Sequence, residues 1–271
     1  MKISLITPTF NQAEFLPETL ASIEAQEDPD LEHIVMDAMS TDATAEILED
    51  YACRTGATIV READSGQSNA INKGTRLAVG EITGWLNSDD ILCPGALAAI
   101  RAGFESNPGA AVVYGLGSKM DRSGKLIRTV PFREFSRRDI RTAFQVVQPA
   151  MYYRRQAFMN AGELDEGLEY AMDWELLMRL AKQGDVISLD REIARIRYYE
   201  ETKTSTGGWK RMHEIAMVGR RHNGPLDPNY IAFNIRDFAA KLPGRAPRWV
   251  ADQVLWRIWG SRPVMVQGWP D

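Results

Sequence analysis

One unit repeats through residues 1–90: an apolar strand, a polar loop, then a helix with one apolar face. Ile3, Leu5 and Ile6 mark a first strand over 2–7, which Pro8 is expected to stop because proline cannot donate to a ladder. Leu16, Leu20 and Ile23 then recur at helical spacing within 14–26. A second strand covers 31–36 and ends at Asp37; the next helix starts at Ser40-Thr41-Asp42 and carries Ile47, Leu48 and Tyr51 on one face. A third strand covers 57–60, and Ala70, Ile71, Gly74 and Leu77 lie on the third helix. The fourth strand, 82–86, climbs into Asn87-Ser88-Asp89-Asp90. Strands alternating with helices imply an α/β fold, a mostly parallel sheet with right-handed crossovers and helices on both faces. In that architecture the loops at the C-terminal strand ends converge on one crevice.

Each of those loops is polar: Thr7 and Thr9, Asp37 and Ser40, Asp64 and Gln67, Asn87 and Asp89. One polar loop is ordinary turn chemistry. Four along one edge are better explained by a ligand. Asp89 and Asp90 offer hard oxygen donors of the kind that hold Mg²⁺ or Mn²⁺ beside a substrate's phosphates; the competing role is to cap the helix that follows. No Gly-rich phosphate loop follows the first strand, where the chain reads Thr7-Pro8-Thr9-Phe10-Asn11-Gln12. Dinucleotide-binding and P-loop folds are therefore disfavoured.

Further on, a strand is expected at 111–114, then a hairpin pairing 118–120 with 126–130 across the turn at 121–125. Arg133, Arg137, Arg138 and Arg141, set among Phe132, Phe135, Ile140 and Phe144, read as a solvated helix face. A strand at 148–154 and a turn at Gly162 precede a helix that opens at 171–175, with Leu176, Leu177 and Leu180 on its apolar side. Asp173 sits in its first turn. The helix dipole alone accounts for a carboxylate there, and so does a general base facing the crevice. Two short strands, 186–189 and 193–198, lead to a polar stretch at 200–208, which reads as a mobile loop able to close over a substrate, and then to a helix at 209–221.

After Asn223-Gly224-Pro225 the texture changes to Pro- and Trp-rich sequence, so the chain divides into an α/β domain, 1–222, and a C-terminal helical appendage, 223–271. Trp249, Leu255, Trp256, Ile258 and Trp259 recur at helical spacing among Arg245, Arg248, Arg257 and Arg262. Such a segment either packs on the α/β domain or lies in a membrane interface. The net charge of -5 argues against a nucleic-acid partner. Cys53 and Cys93 have no metal spacing, no signal peptide is visible, and no apolar run reaches the roughly 20 residues that cross a bilayer. A reducing, cytoplasmic setting is the expectation.

The residues of these loops resemble those of the family 2 glycosyltransferases of the GT-A fold, in the branch that makes bacterial surface polysaccharides. Residues 6–12 look like that family's opening strand and nucleotide loop, and 36–42 are similar to its Asp-x-x-Ser-Thr-Asp element. Residues 64–74, Asp-Ser-Gly-Gln-Ser-Asn-Ala-Ile-Asn-Lys-Gly, are the most specific segment. Asn87-Ser88-Asp89 falls where the family has its Asp-x-Asp metal motif, Asp173 where it has a catalytic carboxylate, and 197–204 on an Arg-x-His-x-x-Ser-Lys-Thr element.

The resemblance implies an inverting sugar transfer from a nucleotide-sugar, UDP most of all, to a hydroxyl of a glycan or lipid-linked acceptor. It implies that Thr7, Pro8 and Asp37 hold the base and ribose. Asp64 and Gln67 line the rest of the nucleoside, with Asn72 and Lys73 beside them, and Asn87 and Ser88 also contact the donor. Asp89 ligates a divalent cation, Mn²⁺ or Mg²⁺. Asp173 takes the acceptor proton, and Lys203 and Thr204 approach the diphosphate. It also implies work at the inner face of the cell membrane, with peripheral contact through the tail. Two departures stand out: Asn87 replaces the motif's first acid, and Tyr199 stands where the family often has His. Both weaken the expected metal site, and Asp90 is a candidate to compensate. They also keep open a non-catalytic nucleotide-sugar-binding protein. A nucleotidyltransferase is disfavoured because the basic Gly-rich loop it needs after the first strand is missing.

Overall fold

β1 (Ile3–Thr9) is the axis of the sheet. In a computed structural model, which describes residues 1–129 and 146–223, it pairs in parallel with β2 (Leu31–Asp37) on one side and with β4 (Ile82–Trp85) on the other. β3 (Thr58–Arg61) adds to the far edge of β2, also parallel. The crossovers are the three expected helices, α1 (Leu16–Glu24), α2 (Thr44–Thr55) and α3 (Gln67–Leu77). Every residue of β1 is buried, as a strand covered on both faces must be. α3 lies so close on it that a Cβ added at Gly74 would meet Ile6 Cγ2 at 2.7 Å, so the crossover needs glycine there.

Beyond β4 the sheet becomes mixed. After β5 (Ile91–Leu92) and α4 (Ala96–Ser106), the long β6 (Ala110–Met120) turns through 121–125 into β7 (Leu126–Thr129), the expected hairpin. β8 (Met151–Arg154) runs antiparallel between β4 and β6 and leads into α5 (Arg155–Ala161). α6 (Met172–Leu180) precedes β9 (Asp185–Arg197), which lies parallel to β6 and takes β5 on its other edge. The order is β3-β2-β1-β4-β8-β6-β9-β5. The turn α7 (Lys203–Thr206) and the helix α8 (Gly208–Asn223) follow. One apolar cluster joins α3, α5, α6 and α8 to the sheet through Ile71, Phe158, Trp174, Leu177, Ile215 and Val218; a second packs α4, through Leu97, Ile100 and Phe104, on β4 and β6.

Four expectations need correcting. Pro8 does not stop β1, which continues to Thr9 opposite Asp37. The Ile6 carbonyl points to the β4 side, where it accepts from Leu86, and the Thr9 carbonyl to the β2 side, where it accepts from Ala38. Pro8 shares the side of Ile6, and β4 has ended there, so its missing N–H leaves no gap. Second, 186–189 and 193–198 form one strand. Its partner advances from Tyr114 to Leu116 while β9 advances from Ser188 to Glu192, so exposed Asp190 and Arg191 sit on a bulge, not in a break. Third, 148–154 begins as a 3₁₀ turn, Gln148–Ala150, because Pro149 cannot donate to a ladder. Fourth, the polar stretch 200–208 contains the helical turn α7, capped by the Thr202 side chain. The arginine-rich patch at 132–144 and the appendage lie outside the described residues, apart from Asn223, which ends α8. No helix among the described residues is long and apolar enough to cross a membrane.

Candidate active site

The ends of β1 and β2 are laced together. Beyond Thr9, Asn11 takes a positive φ of 52°; its N–H donates to Ser40 Oγ at 2.9 Å and its Oδ1 accepts from Thr41 at 2.8 Å. Asp37 is buried beneath this crossing. Its Oδ1 accepts from the Ser40 N–H at 3.0 Å and from the Ser40 hydroxyl, and its Oδ2 from Arg61 Nε at 2.8 Å. Both oxygens are engaged, so the polar group this corner turns outward is the Arg61 guanidinium, with its side chain 38% exposed. Phe10 and Met39 stand exposed on the same lip.

The next two loops meet through side chains. Asp64 Oδ1 accepts from Gly66 N–H at 2.8 Å, an Asx turn that delivers Gln67 to the start of α3. Gln67 Nε2 donates to Asn87 Oδ1 at 2.6 Å, and Gln67 Oε1 accepts from Lys203 Nζ at 3.1 Å. Asp64, Gln67, Asn87 and Lys203, drawn from three distant parts of the chain, therefore form one connected wall. Thr204 follows Lys203 in α7.

The acidic turn after β4 is held from several directions. Thr19 Oγ1 donates to the carbonyls of Ser88 and Asp90, at 2.9 and 2.8 Å. Asp90 is buried; its Oδ1 accepts from the Arg197 N–H at 2.9 Å and its Oδ2 from Asn87 Nδ2 at 3.0 Å. Burial, and then the neighbouring Asp89, push its carboxyl well above the usual range. Asp90 is thus committed to the scaffold, which speaks against its compensating for a missing ligand. Arg197, whose side chain is 1% exposed, donates to the carbonyls of Asp89 (3.0 Å), Arg122 (2.8 Å) and Asp121 (3.3 Å) and pairs with Glu18. Asp89 is half-buried, and burial raises its carboxyl; the Tyr199 phenol donates to its Oδ2 at 3.2 Å. Burial followed by Asp89 pushes the Tyr199 phenol up, so it is a neutral donor and no anionic ligand.

Asp173 begins α6 and is half-buried; burial lifts its carboxyl to about 6, against the pull of the Trp174 N–H, Arg211 and Lys203. Its Oδ1 accepts from Trp174 N–H at 2.8 Å. A carboxylate poised near neutrality at a helix start is what a general base requires. Burial lowers Lys203, while Glu169, Glu214 and Asp173 hold its charge in place.

Five of the residues expected near the donor are engaged within the protein. Thr7 is buried, with Oγ1 bonded to His33 Nε2 at 2.9 Å, and Pro8 lies within the ladder. Asn72 is buried and clamps α3 to a later loop: Nδ2 donates to the Leu164 carbonyl (3.0 Å) and to Glu166 (3.0 Å), and Oδ1 accepts from Leu164 N–H (2.9 Å). Ser88 is buried and meets the site through its backbone. Lys73 pairs with Glu62 at 2.9 Å. Sequence reasoning missed the scaffold roles of Arg197, which it read only as the first letter of a motif, and of Gln148, whose Nε2 donates to the Trp85 carbonyl at 2.8 Å.

No group of three or more His, Cys, Asp or Glu able to hold a metal occurs among the described residues. The donor set still suits Mg²⁺ or Mn²⁺ in the way such ions are often held, on one or two carboxylates with phosphate and water completing the shell. Asp89 would be that carboxylate.

Comparison with known proteins gives the family and the fold. The model of the family "Glycosyl transferase family 2" matches residues 4–162. The O-antigen biosynthesis protein RfbC of Myxococcus xanthus is 32% identical over 185 residues, which cover 66% of this chain but only 14% of that protein. The PGL/p-HBAD biosynthesis glycosyltransferase Rv2957 of Mycobacterium tuberculosis is 31% identical over 65% of this chain and 68% of its own length. Among solved structures, residues 1–349 of S. aureus TarS in complex with UDP-GlcNAc superimpose with a TM-score of 0.69 at 20% identity, covering 95% of this chain and 81% of that one. The mannosyltransferase PcManGT of Pyrobaculum calidifontis, solved with GDP-Man and Mn²⁺, gives 0.57 at 19% identity, over 94% of this chain and 69% of that one. At these identities the two structures share the fold.

Proposed function

The chain belongs to glycosyl transferase family 2, and from that premise we propose that it moves a sugar from a UDP-sugar to a hydroxyl of a glycan or lipid-linked acceptor, with inversion, in the synthesis of a surface polysaccharide. The observation that carries this reading is Asp173, lifted to about 6 and flanked by the cations Lys203 and Arg211. The relatives' names, O-antigen biosynthesis, chondroitin synthase and hyaluronan synthase, support a polysaccharide product.

Inversion is an in-line displacement. The acceptor oxygen attacks the anomeric carbon from the side of Asp173, whose carboxylate takes the hydroxyl proton. A new carbon–oxygen bond forms while the bond to the diphosphate breaks on the opposite face. Lys203, tied to Gln67 at 3.1 Å, meets the charge gathering on the departing diphosphate. A divalent cation held by Asp89 supplies further charge neutralisation when bound. The exposed Arg61, Phe10 and Met39 form the lip that receives the nucleoside.

The acceptor's place follows from the same reading. A lipid-linked acceptor sits at the inner face of the cell membrane, and the Trp- and Arg-rich sequence within 245–262 suits an interfacial contact there. Loss of anionic-liposome binding in a chain ended at Gly244 would support that contact, and equal partitioning would remove it.

Calorimetric titration with UDP, GDP and dTDP, with and without Mn²⁺, beside a donor-hydrolysis assay, tests the main reading. Tighter binding of UDP and slow hydrolysis of a UDP-sugar are expected. Binding without turnover of any donor would make the chain a nucleotide-sugar-binding protein. Binding of none of the three would overturn the proposal.

A further inference from the structure

Helix α6 begins without a capping side chain of its own, because its N-cap is Ala171. The first N–H groups of a helix have no partners inside it, and a Ser, Thr, Asp or Asn at the N-cap normally supplies one. Instead, a carboxylate of α8 holds the turn that enters the helix. Glu214 Oε1 accepts from the N–H of Tyr170 at 2.5 Å and of Ala171 at 2.6 Å, and its Oε2 from Glu169 N–H at 2.8 Å. One carboxylate thus gathers three consecutive N–H groups. Within the first turn itself, Asp173 Oδ1 takes Trp174 N–H, and the Ala171 carbonyl takes Glu175 N–H at 2.9 Å.

α8 does not need Glu214 to stay attached. Ile215 and Val218 are in the core, His222 Nε2 bonds Glu175 at 2.8 Å, and Arg221 pairs with Asp165 at 2.6 Å. The three bonds of Glu214 are all spent on the turn that leads into Asp173. Its charge also favours the charged form of Lys203.

We propose that Glu214 is a positioning residue that braces the turn entering α6 and so fixes the place of Asp173. The proposal rests on the reading of Asp173 as the proton acceptor. Misplacing a reacting group by about 1 Å can cost about 10²-fold in rate, and the loss falls on turnover, not on donor binding.

The test uses the full chain and compares kcat at saturating donor with UDP affinity by titration, beside a melting curve. Glu214→Ala is expected to lower kcat by about 10–100-fold with UDP affinity within about 3-fold of the parent. Glu214→Gln keeps one oxygen able to accept from both Tyr170 and Ala171, and is expected to recover most of that loss. In an Asp173→Asn background, adding Glu214→Ala should cost less than about 2-fold, because two changes acting through one group do not add. Wild-type kcat in Glu214→Ala, or a full further loss in the Asp173→Asn background, overturns the proposal. So does a fall of UDP affinity in step with kcat and melting temperature, which would mark a merely structural role. Failure of the underlying reading looks different: Asp173→Asn would itself transfer at the parental rate.

Discussion

The phenol of Tyr199 donates a hydrogen bond to Oδ2 of Asp89 at 3.2 Å, and the Arg122 guanidinium lies over the Tyr199 ring, 5.3 Å from its centroid. A neutral tyrosine therefore occupies one oxygen of the carboxylate proposed to hold the cation. Its burial keeps it protonated, so it adds no negative charge to the shell. Tyr199→His should exchange this donor for a potential nitrogen ligand and tighten the Mn²⁺-dependent part of UDP binding by about 10-fold or more, on the scale of changes in a metal's immediate surroundings. UDP titrations over a Mn²⁺ series would read this. An unchanged Mn²⁺ dependence would show that Tyr199 has no bearing on the cation.

Asp89 itself should matter to ligand and little to folding. Asp89→Ala should abolish the tightening of UDP binding by Mn²⁺. The melting temperature of the ligand-free protein should hardly move, because the burial that raises this carboxyl makes its ionised form costly in the folded state. A variant that simply unfolds would instead assign Asp89 to the scaffold.

Asp173 couples rate to stability. Transfer at saturating donor should rise with pH through about 6, where this carboxyl ionises, and Asp173→Asn should lower it by about 10²–10⁴-fold and remove that limb. The folded carboxyl holds its proton up to about 6, against 3.8 for the group when free. The stability it contributes is therefore complete below the free value and lost as pH rises through 6. At neutral pH the cost reaches up to about 3 kcal/mol. Asp173→Asn, whose amide oxygen can still accept from Trp174, should melt above the parent at about pH 7.5, and the two should converge near pH 4. Parallel melting curves across that range would contradict the raised carboxyl.

The first four strands were legible because each is an apolar run followed by a polar loop and a 3.6-residue repeat, and those periods leave few other folds. The convergence of Gln67 and Asn87 was legible as polar loops at one sheet edge; their bonds to each other and to Lys203 were not, since nothing local joins residues so far apart. Thr7 and Asn72 misled for one physical reason. The family resemblance implied that both serve the donor, yet His33 and the Leu164 backbone satisfy these two inside the protein. Glu214 and Arg197 were invisible for the converse reason: a carboxylate that gathers the backbone N–H groups of a distant turn and a buried guanidinium that binds backbone carbonyls leave no pattern in neighbouring residues.

Asn87 shows why this chain departs from the two-acid motif. Its Nδ2 donates to Asp90 Oδ2 at 3.0 Å, while its Oδ1 accepts from Gln67 at 2.6 Å. An aspartate at 87 would keep the second bond and turn the first into a contact between two carboxylates, one of them buried. Two acids at that distance cannot both ionise cheaply. Asn87→Asp should therefore destabilise the ligand-free protein by about 1–3 kcal/mol, the cost of leaving a buried polar group unpaired. The penalty should be largest at high pH, where both acids are driven to ionise, and Mn²⁺ with UDP should reverse part of it. Thermal melts of the variant at low and high pH, with and without Mn²⁺ and UDP, would show both effects. A variant as stable as the parent at high pH would mean that Asp90 keeps its proton and that the amide at 87 is dispensable.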